Sequence, residues 1–352
     1  MKKIIVIIGG GLSGILTAYL LKQKNYSVTI LEANSRLGGR ILTKKTLGTS
    51  TELGATWLWK YNTQLIKLCK ELNIKLFPQY MNGDAMFEAI DSKNPQRFTL
   101  PKNQEISYRI SGGTIEIINR LIANLNTNEI KLTEKVKYIN YNNNCYSVKT
   151  NTNTYEADIV ISTIPPQLLS KSILFSPKLP EDIITIANKT HTWMKDAIKF
   201  SVGYITPFWR DQKLSGAGFS NIGPLTEVYD HSSYNDCSYA LAGFISTEFT
   251  NEDKEVRQIK VIDQLVKLFG KEALQIKFYE EKLWSNDINI SLPSSDYVSP
   301  HENNGHFIYQ KPIFNNNFYI GGTETSKEYG GYMEGAVYRA IEIVNQIQKA
   351  QV

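Results

Sequence analysis

An apolar block opens the chain, Ile4-Ile5-Val6-Ile7-Ile8, and runs into Gly9, Gly10, Gly11 and Gly14. A charge-free stretch continues to Leu21, and a second apolar run, Ser27 to Leu31, ends on Glu32. Short β-branched runs predict strands, and the longer stretch between them predicts a helix, so Ile4 to Glu32 reads as strand, turn, helix, strand. Further along, residues 61–76 and Thr114 to Leu125 carry apolar positions at helical spacing. Lys135 to Tyr141, Tyr146 to Thr150 and Thr154 to Ala157 form a strand meander punctuated by asparagines. Asp158 to Thr163 has the continuous apolar character of a strand covered on both faces, and Pro165-Pro166 stops it. Residues 190–283 mix alternating strands (Ala197 to Tyr204, Ser238 to Ile245) with a helix over Glu255 to Phe269. The chain closes with a strand at Asn317 to Ile320, a Gly321-Gly322 turn and a helix over Gly331 to Gln348. Residues 77–104 read as irregular.

This order predicts an α/β fold: a discontinuous Rossmann-like nucleotide domain (residues 1–76, 108–188 and 285–352) with an inserted α+β substrate domain (77–107 and 189–284). At 352 residues and 42% hydrophobic content, the chain can build both cores.

Gly9, Gly11 and Gly14 satisfy G-x-G-x-x-G between a strand and a helix. The first glycine permits the turn, the second lets backbone approach a pyrophosphate, and the third lets helix and strand pack closely. Ser13 sits in the first helical turn, whose amides face the phosphates. Glu32 follows where an acid accepts ribose hydroxyls. A targeting or anchor reading of Ile4 to Leu21 is opposed by its central glycines and by the absence of a small-x-small cleavage site before Lys22.

Charge changes this little. The net charge of +5 comes from bases scattered among 34 acids, which argues against a nucleic-acid surface. No later segment has the length and apolarity of a membrane span. Cys69, Cys145 and Cys237 are too few and too far apart for a disulfide framework or a metal site, which fits a reducing cytoplasm. The four histidines lack metal-ligand spacing, and His301 and His306 read as surface residues of a polar loop.

A lone glycine motif does not separate NAD from FAD. Arg36-x-Gly38-Gly39-Arg40, Glu52-Leu53-Gly54-Ala55, and Gly321-Gly322-Thr323-Glu324-Thr325 followed by Gly331-Tyr332-Met333-Glu334-Gly335-Ala336 together resemble the flavin-containing amine oxidase family, which includes the monoamine and polyamine oxidases. Ser111-Gly112-Gly113, Val136, Ile164-Pro165-Pro166 and Pro207-Phe208-Trp209-Arg210 match between them in order. The resemblance covers most of the chain and is most specific at its ends.

It implies FAD held by Gly9, Gly11, Ser13, Gly14, Glu32, Gly38, Gly39, Arg40, Gly54, Ala55, Val136, Gly322, Glu324 and Met333. Arg40 could offset pyrophosphate charge. The start of the final helix, at Met333, could stabilise negative charge on reduced flavin. Tyr332 matches one wall of the family's aromatic cage. Lys199 matches the lysine that holds a water near flavin N5, and such a cation could stabilise superoxide. Along Ala197 to Tyr204, alternation puts Lys199 with small residues on a face that is either solvent or pocket wall. Trp57 and Trp284 are candidate substrate walls; Trp59 and Trp193 rank below them.

Two departures stand out. The covalent-flavin cysteine and second cage aromatic should fall near residues 290–296, where the chain reads ISLPSSD, so FAD is expected to be noncovalent and the cage half built unless Tyr297 or Trp284 completes it. Asn34 replaces a basic residue two positions after the ribose acid. The implied reaction takes a small-molecule amine to an imine and aldehyde, with oxygen reduced to hydrogen peroxide; an oligomer is compatible with the sequence. A desaturase or dehydrogenase of the protoporphyrinogen-oxidase type and a non-catalytic FAD-stabilised binding protein remain alternatives.

Overall fold

A computed structural model describes residues 2–101, 103, 105–292 and 298–350. Ile4–Ile8 is a strand paired in parallel with Ser27–Leu31 on one side and Ile159–Ser162 on the other. Ile130–Lys131 flanks Ser27–Leu31, and Phe318–Ile320 flanks Ile159–Ser162. One five-stranded parallel sheet therefore draws on the beginning, middle and end of the chain.

The two-residue alternation of a strand gives this sheet two cores. Ile5 and Ile7 pack with the helices Leu12–Gln23, Ile115–Ile122 and Met333–Lys349 through Ile15, Ile118, Val337 and Ile343. Val6 and Ile8 face the other way, onto the meander, through Ile139, Tyr146 and Val148. The meander is observed as Val136–Asn142, Cys145–Thr150 and Thr154–Ala157. Leu12 to Ala18 are all buried, which explains why this helix carries no charge before its last turn.

A second sheet of seven strands runs in the order Ile276–Leu283, Ile198–Tyr204, Tyr239–Ile245, Leu225–Asp230, Leu214–Ser220, Asp84–Glu88, Gln96–Thr99. Helix Lys254–Phe269 backs it: Val261, Leu265 and Leu268 pack on Ile198, Phe200 and Val202. The opposite face of Ile198–Tyr204 turns towards strand Thr49–Glu52, where Ser201 Oγ donates to Thr51 Oγ1 at 2.9 Å. Lys199 lies on that inner face and is 1% exposed, so the solvent alternative for it is excluded.

Residues 77–104 are not irregular throughout. Leu76–Pro78 pairs with Ser107–Ile110, while Asp84–Glu88 and Gln96–Thr99 close one edge of the large sheet. These strands are three to five residues long and their register comes from partners elsewhere in the chain, so their own alternation is faint. Among the described residues, no helix is long and apolar enough to cross a membrane.

Candidate active site

The two sheets enclose a cavity of about 1110 Å³. One end is made by the glycine turns. Gly9 has φ 106°, and a Cβ on Gly14 would stand 2.1 Å from the Gly9 carbonyl oxygen, so only glycine lets the first helix approach this closely. Gly11 caps that helix without a side-chain hydrogen bond, and a Cβ there would meet nothing nearer than Gly39 Cα at 4.0 Å. Gly38 bridges back to Gly11, so the two turns form one cradle, and the Arg36 guanidinium holds it by donating to the Gly39 carbonyl at 2.6 Å. Ser13 Oγ is buried, has no partner, and belongs to a cavity wall.

Glu32 is buried. It accepts from Gly10 N and Asn34 N, each at 2.7 Å. Burial pushes its carboxyl above the usual range, and the two N–H donors oppose that shift. Its remaining lone pairs are free for further donors. The Asn34 side chain is engaged by Asn289, whose amide donates to Asn34 Oδ1 at 2.9 Å. Val136 lines a small adjoining pocket bordered by Gly9 and Glu32 rather than the main cavity.

Arg40 is not a free cation awaiting a phosphate. Its Nη1 lies 2.6 Å from Glu324 Oε1 and also donates to the Trp193 carbonyl at 3.0 Å. Glu324 is fully buried behind it and is not a cavity wall, whereas Arg40 is one. Gly54 packs on Arg40: a Cβ at Gly54 would sit 2.2 Å from the Arg40 carbonyl oxygen, which in turn accepts from Ala55 N at 3.0 Å. Gly54, Ala55, Gly322 and Met333 all line the cavity.

At the other end, Lys199 Nζ donates to the Gly54 carbonyl at 2.9 Å and to Thr56 Oγ1 at 2.6 Å. It lies 4.7 Å from the Trp57 ring centroid and 4.9 Å from that of Phe244. Burial drives the Lys199 ammonium down to about 8, against the pull of Glu52 and Glu227. Burial drives the Glu52 carboxyl the opposite way, up to about 7. Each group is the other's counter-charge in a site that disfavours both ions. Trp57 is a cavity wall, held by its indole N–H on Gln79 Oε1 at 2.9 Å. Trp284 is not a wall: it is fully buried, with its indole N–H donating to the Leu53 carbonyl at 2.8 Å, and it braces the Glu52–Ala55 turn from behind.

Tyr332 is 41% exposed and borders the cavity. Its ring is 5.6 Å from that of Trp193 and stacks on that of His301 at 5.5 Å. The sequence places Trp193 below the other candidate walls and His301 on the surface of a polar loop, and the structure brings both against Tyr332. Tyr297 lies outside the described residues. The backbone turns at Tyr332 into helix Met333–Lys349, which has no side-chain cap. Glu334, in its first turn, points elsewhere and accepts from Gln64 N and Leu65 N at 2.9 and 2.8 Å.

Sequence reasoning missed several walls. Tyr61 stacks on Tyr329 at 5.8 Å and on Trp59 at 5.9 Å, giving the cavity a second aromatic flank. Glu227 places a carboxylate near Lys199, with Tyr229 donating to it at 2.8 Å. No local signal marks these residues: Glu227 reaches Lys199 through strand pairing in the large sheet, and Tyr61 meets Tyr329 where two loops far apart in sequence come together.

The family model for flavin containing amine oxidoreductases matches residues 12–107 and 91–348. A probable flavin-containing monoamine oxidase A of Dictyostelium discoideum is 25% identical over 98% of this chain and 97% of its own length. A flavin-containing amine oxidase B of Sus scrofa is 26% identical over 95% of this chain and 84% of its own. Among solved structures, a putrescine oxidase bound to putrescine superposes with a TM-score of 0.86 at 20% identity, covering 99% of each chain. A cyclohexylamine oxidase from Brevibacterium oxydans gives a TM-score of 0.85 at 18% identity, covering 99% of this chain and all of its own. With a glycine cradle, a buried acid and an aromatic chamber joined in one cavity, and a family model spanning nearly its whole length, this chain belongs to the flavin-containing amine oxidoreductase family.

Proposed function

We propose that this protein is an oxidase of small-molecule amines that holds FAD without a covalent bond. The observation that carries this reading is the placement of Lys199: a buried lysine between two aromatic rings, in the wall of a cavity whose far end is the glycine cradle. The cradle suits a dinucleotide. Ser13 Oγ lacks a partner, space is open above Gly11, and the Glu32 carboxylate retains acceptor capacity. Gly9, Gly11, Ser13 and the amides of the first helix would hold the pyrophosphate, Glu32 a ribose, and Gly54, Ala55 and Met333 the ring end. Cys69 is in the core, and Cys145 and Cys237 are exposed elsewhere; none is a wall of this large cavity, in keeping with noncovalent binding. Residues 1–76, 108–188 and 285–352 would form the cofactor half, and 77–107 with 189–284 the substrate half.

Held by these residues, flavin would supply the two-electron chemistry: uptake of a hydride equivalent from the carbon beside the amine nitrogen and reduction of oxygen. Overall, amine, oxygen and water become aldehyde, ammonia and hydrogen peroxide. The chain's own residues prepare the amine. Glu227 attracts the incoming ammonium ion, and the aromatic walls of Trp57, Phe244 and Tyr332 favour its neutral form by excluding water. Lys199, fixed by Gly54 and Thr56, supplies the positive charge that favours electron transfer to oxygen. A desaturase acting on an apolar heterocycle fits less well, because Glu227 and Asp196 put carboxylates in the walls.

The test is anaerobic addition of a panel of primary and secondary amines to the FAD-loaded protein. Bleaching of the oxidised flavin band, followed by stoichiometric peroxide on admitting air, is expected with at least one amine. An unchanged spectrum across the whole panel refutes the reading.

A further inference from the structure

Behind strand Thr49–Glu52 lies a second cavity of about 380 Å³, which shares Thr56 as a wall with the larger one. Arg109, on strand Ser107–Ile110, is one of its walls and is 5% exposed. Its guanidinium lies over the Phe77 ring at 4.7 Å and donates through Nη2 to the Ser232 carbonyl at 2.5 Å. Its Nε has no acceptor, and among the described residues Arg109 makes no salt bridge. A buried guanidinium with no carboxylate in direct contact is costly, and burial lowers its pKa to about 10 against the pull of Asp230 and Glu52.

The nearby carboxylates are committed elsewhere. Asp230 accepts from Trp209 Nε1 at 2.9 Å, Arg210 Nε at 2.8 Å and Ser232 N at 2.8 Å. Glu52 accepts from Thr43 Oγ1 at 2.9 Å and from Thr114 N at 2.6 Å, and it is also the counter-charge of Lys199. Glu52 is thus a counter-charge to both buried cations, with Glu227 acting on Lys199 and Asp230 on Arg109 through space.

The other unmet groups among its wall residues, His231 Nδ1 and the hydroxyls of Ser232 and Thr114, can all donate. His231 Nε2 accepts from Glu52 N at 3.2 Å, so in the neutral ring Nδ1 carries the proton. Burial, with Arg109 and Lys199 nearby, keeps this histidine neutral by lowering its pKa. That Nδ1 is buried and has no partner; the same holds for Ser232 Oγ. His231 and Ser232 are 3% and 1% exposed. Arg109, His231 and Ser232 are walls of this cavity together with the committed carboxylate of Glu52, and three of their donor atoms, Arg109 Nε, His231 Nδ1 and Ser232 Oγ, are buried with no acceptor; such a set suits a species that accepts hydrogen bonds and carries negative charge.

We infer that this second cavity is a binding site for a small monoanion, held by Arg109, His231 and Ser232 and separate from the cofactor and amine site. The test uses the flavin-loaded protein and two probes. In crystals soaked in sodium bromide, an anomalous peak is expected against Arg109 Nε. In solution, sodium formate at constant ionic strength is expected to raise the melting temperature saturably. Arg109→Gln should abolish that rise, and Ser232→Ala should weaken formate binding on the order of tenfold, the loss of one hydrogen bond to a charged group. If Arg109→Gln does not fold, the Ser232→Ala shift alone decides. Ordered waters without bromide, no saturable rise, or an equal formate response in wild type and Ser232→Ala would each overturn the proposal. Neither readout depends on amine turnover.

Discussion

Alanine at Gly14 and alanine at Gly11 should have opposite effects, although both glycines belong to one motif. At Gly14 a methyl carbon would stand 2.1 Å from the Gly9 carbonyl oxygen and 2.8 Å from Thr163 Oγ1, against an ordinary contact of 3.4 Å or more. The first helix must retreat by roughly 1 Å, and Leu12, Ile15 and Leu16 on it are buried, so the shift disturbs the main core. Overpacking of this kind costs about 3 kcal/mol. With an unfolding entropy of about 2.1 cal/mol/K per residue, a chain of this length should melt roughly 4 °C lower. At Gly11 the backbone has φ −80° and ψ 179°, open to any residue, and the new methyl meets no protein atom closer than 4.0 Å. It projects into the cavity instead. Gly11→Ala apoprotein should therefore melt within about 1 °C of wild type, yet its flavin affinity should fall at least about tenfold if the pyrophosphate crosses that space. Calorimetry of flavin-stripped protein and the flavin-to-protein absorbance ratio after purification read the two effects separately. A Gly11→Ala protein that keeps full flavin, or a Gly14→Ala apoprotein that melts with wild type, refutes the reasoning.

Lys199→Met should slow reoxidation of reduced flavin by air about a hundredfold, the scale on which catalysis loses one electrostatic contact, while leaving anaerobic bleaching by amine within a few-fold; stopped-flow absorbance separates the half-reactions. The same variant tests the pH linkage. Because the fold lowers the Lys199 pKa to about 8 from 10.5, the unfolded chain binds the extra proton between those values, so wild-type stability should gain on the order of 3 kcal/mol as pH rises through that window, and denaturant titrations should show the gain missing in Lys199→Met. Glu324→Gln removes the fully buried partner of Arg40 and should destabilise the flavin-free protein by about 3 kcal/mol, with a smaller deficit in the flavin-loaded form, where phosphate can take over as counter-charge; melting curves of both forms check this.

Much of the cofactor end was legible because its chemistry is local. Gly9 to Glu32 encodes turn, helix and acid within one unit, and Gly14 proves to be required by backbone contact. Lys199 was legible as a position on an alternating strand, but not as a buried one, since burial depends on what covers the strand. Arg40 shows the limit more clearly. It lines the cavity as its charge and flanking glycines suggest, but it is also paired with Glu324, far away in sequence, an arrangement no spacing rule reports. Trp284 was set aside for the substrate and instead props up the turn at Leu53. Glu227, Tyr61 and Tyr329 gave no signal, because their roles arise only where distant segments meet around a cavity.

The interleaving of the parallel sheet has a consequence for biosynthesis. The strand Ile4–Ile8 is made first, but its neighbour Ile159–Ser162 comes much later, and Phe318–Ile320 and helix Met333–Lys349 later still. During translation the apolar strand behind the glycine turn therefore stays unpaired on one side until Ile159–Ser162 is made, and that strand in turn waits for Phe318–Ile320 near the end of synthesis. Cofactor capture should be a late event that closes the fold, and nascent chains arrested before Phe318 should depend on chaperones and should not retain flavin.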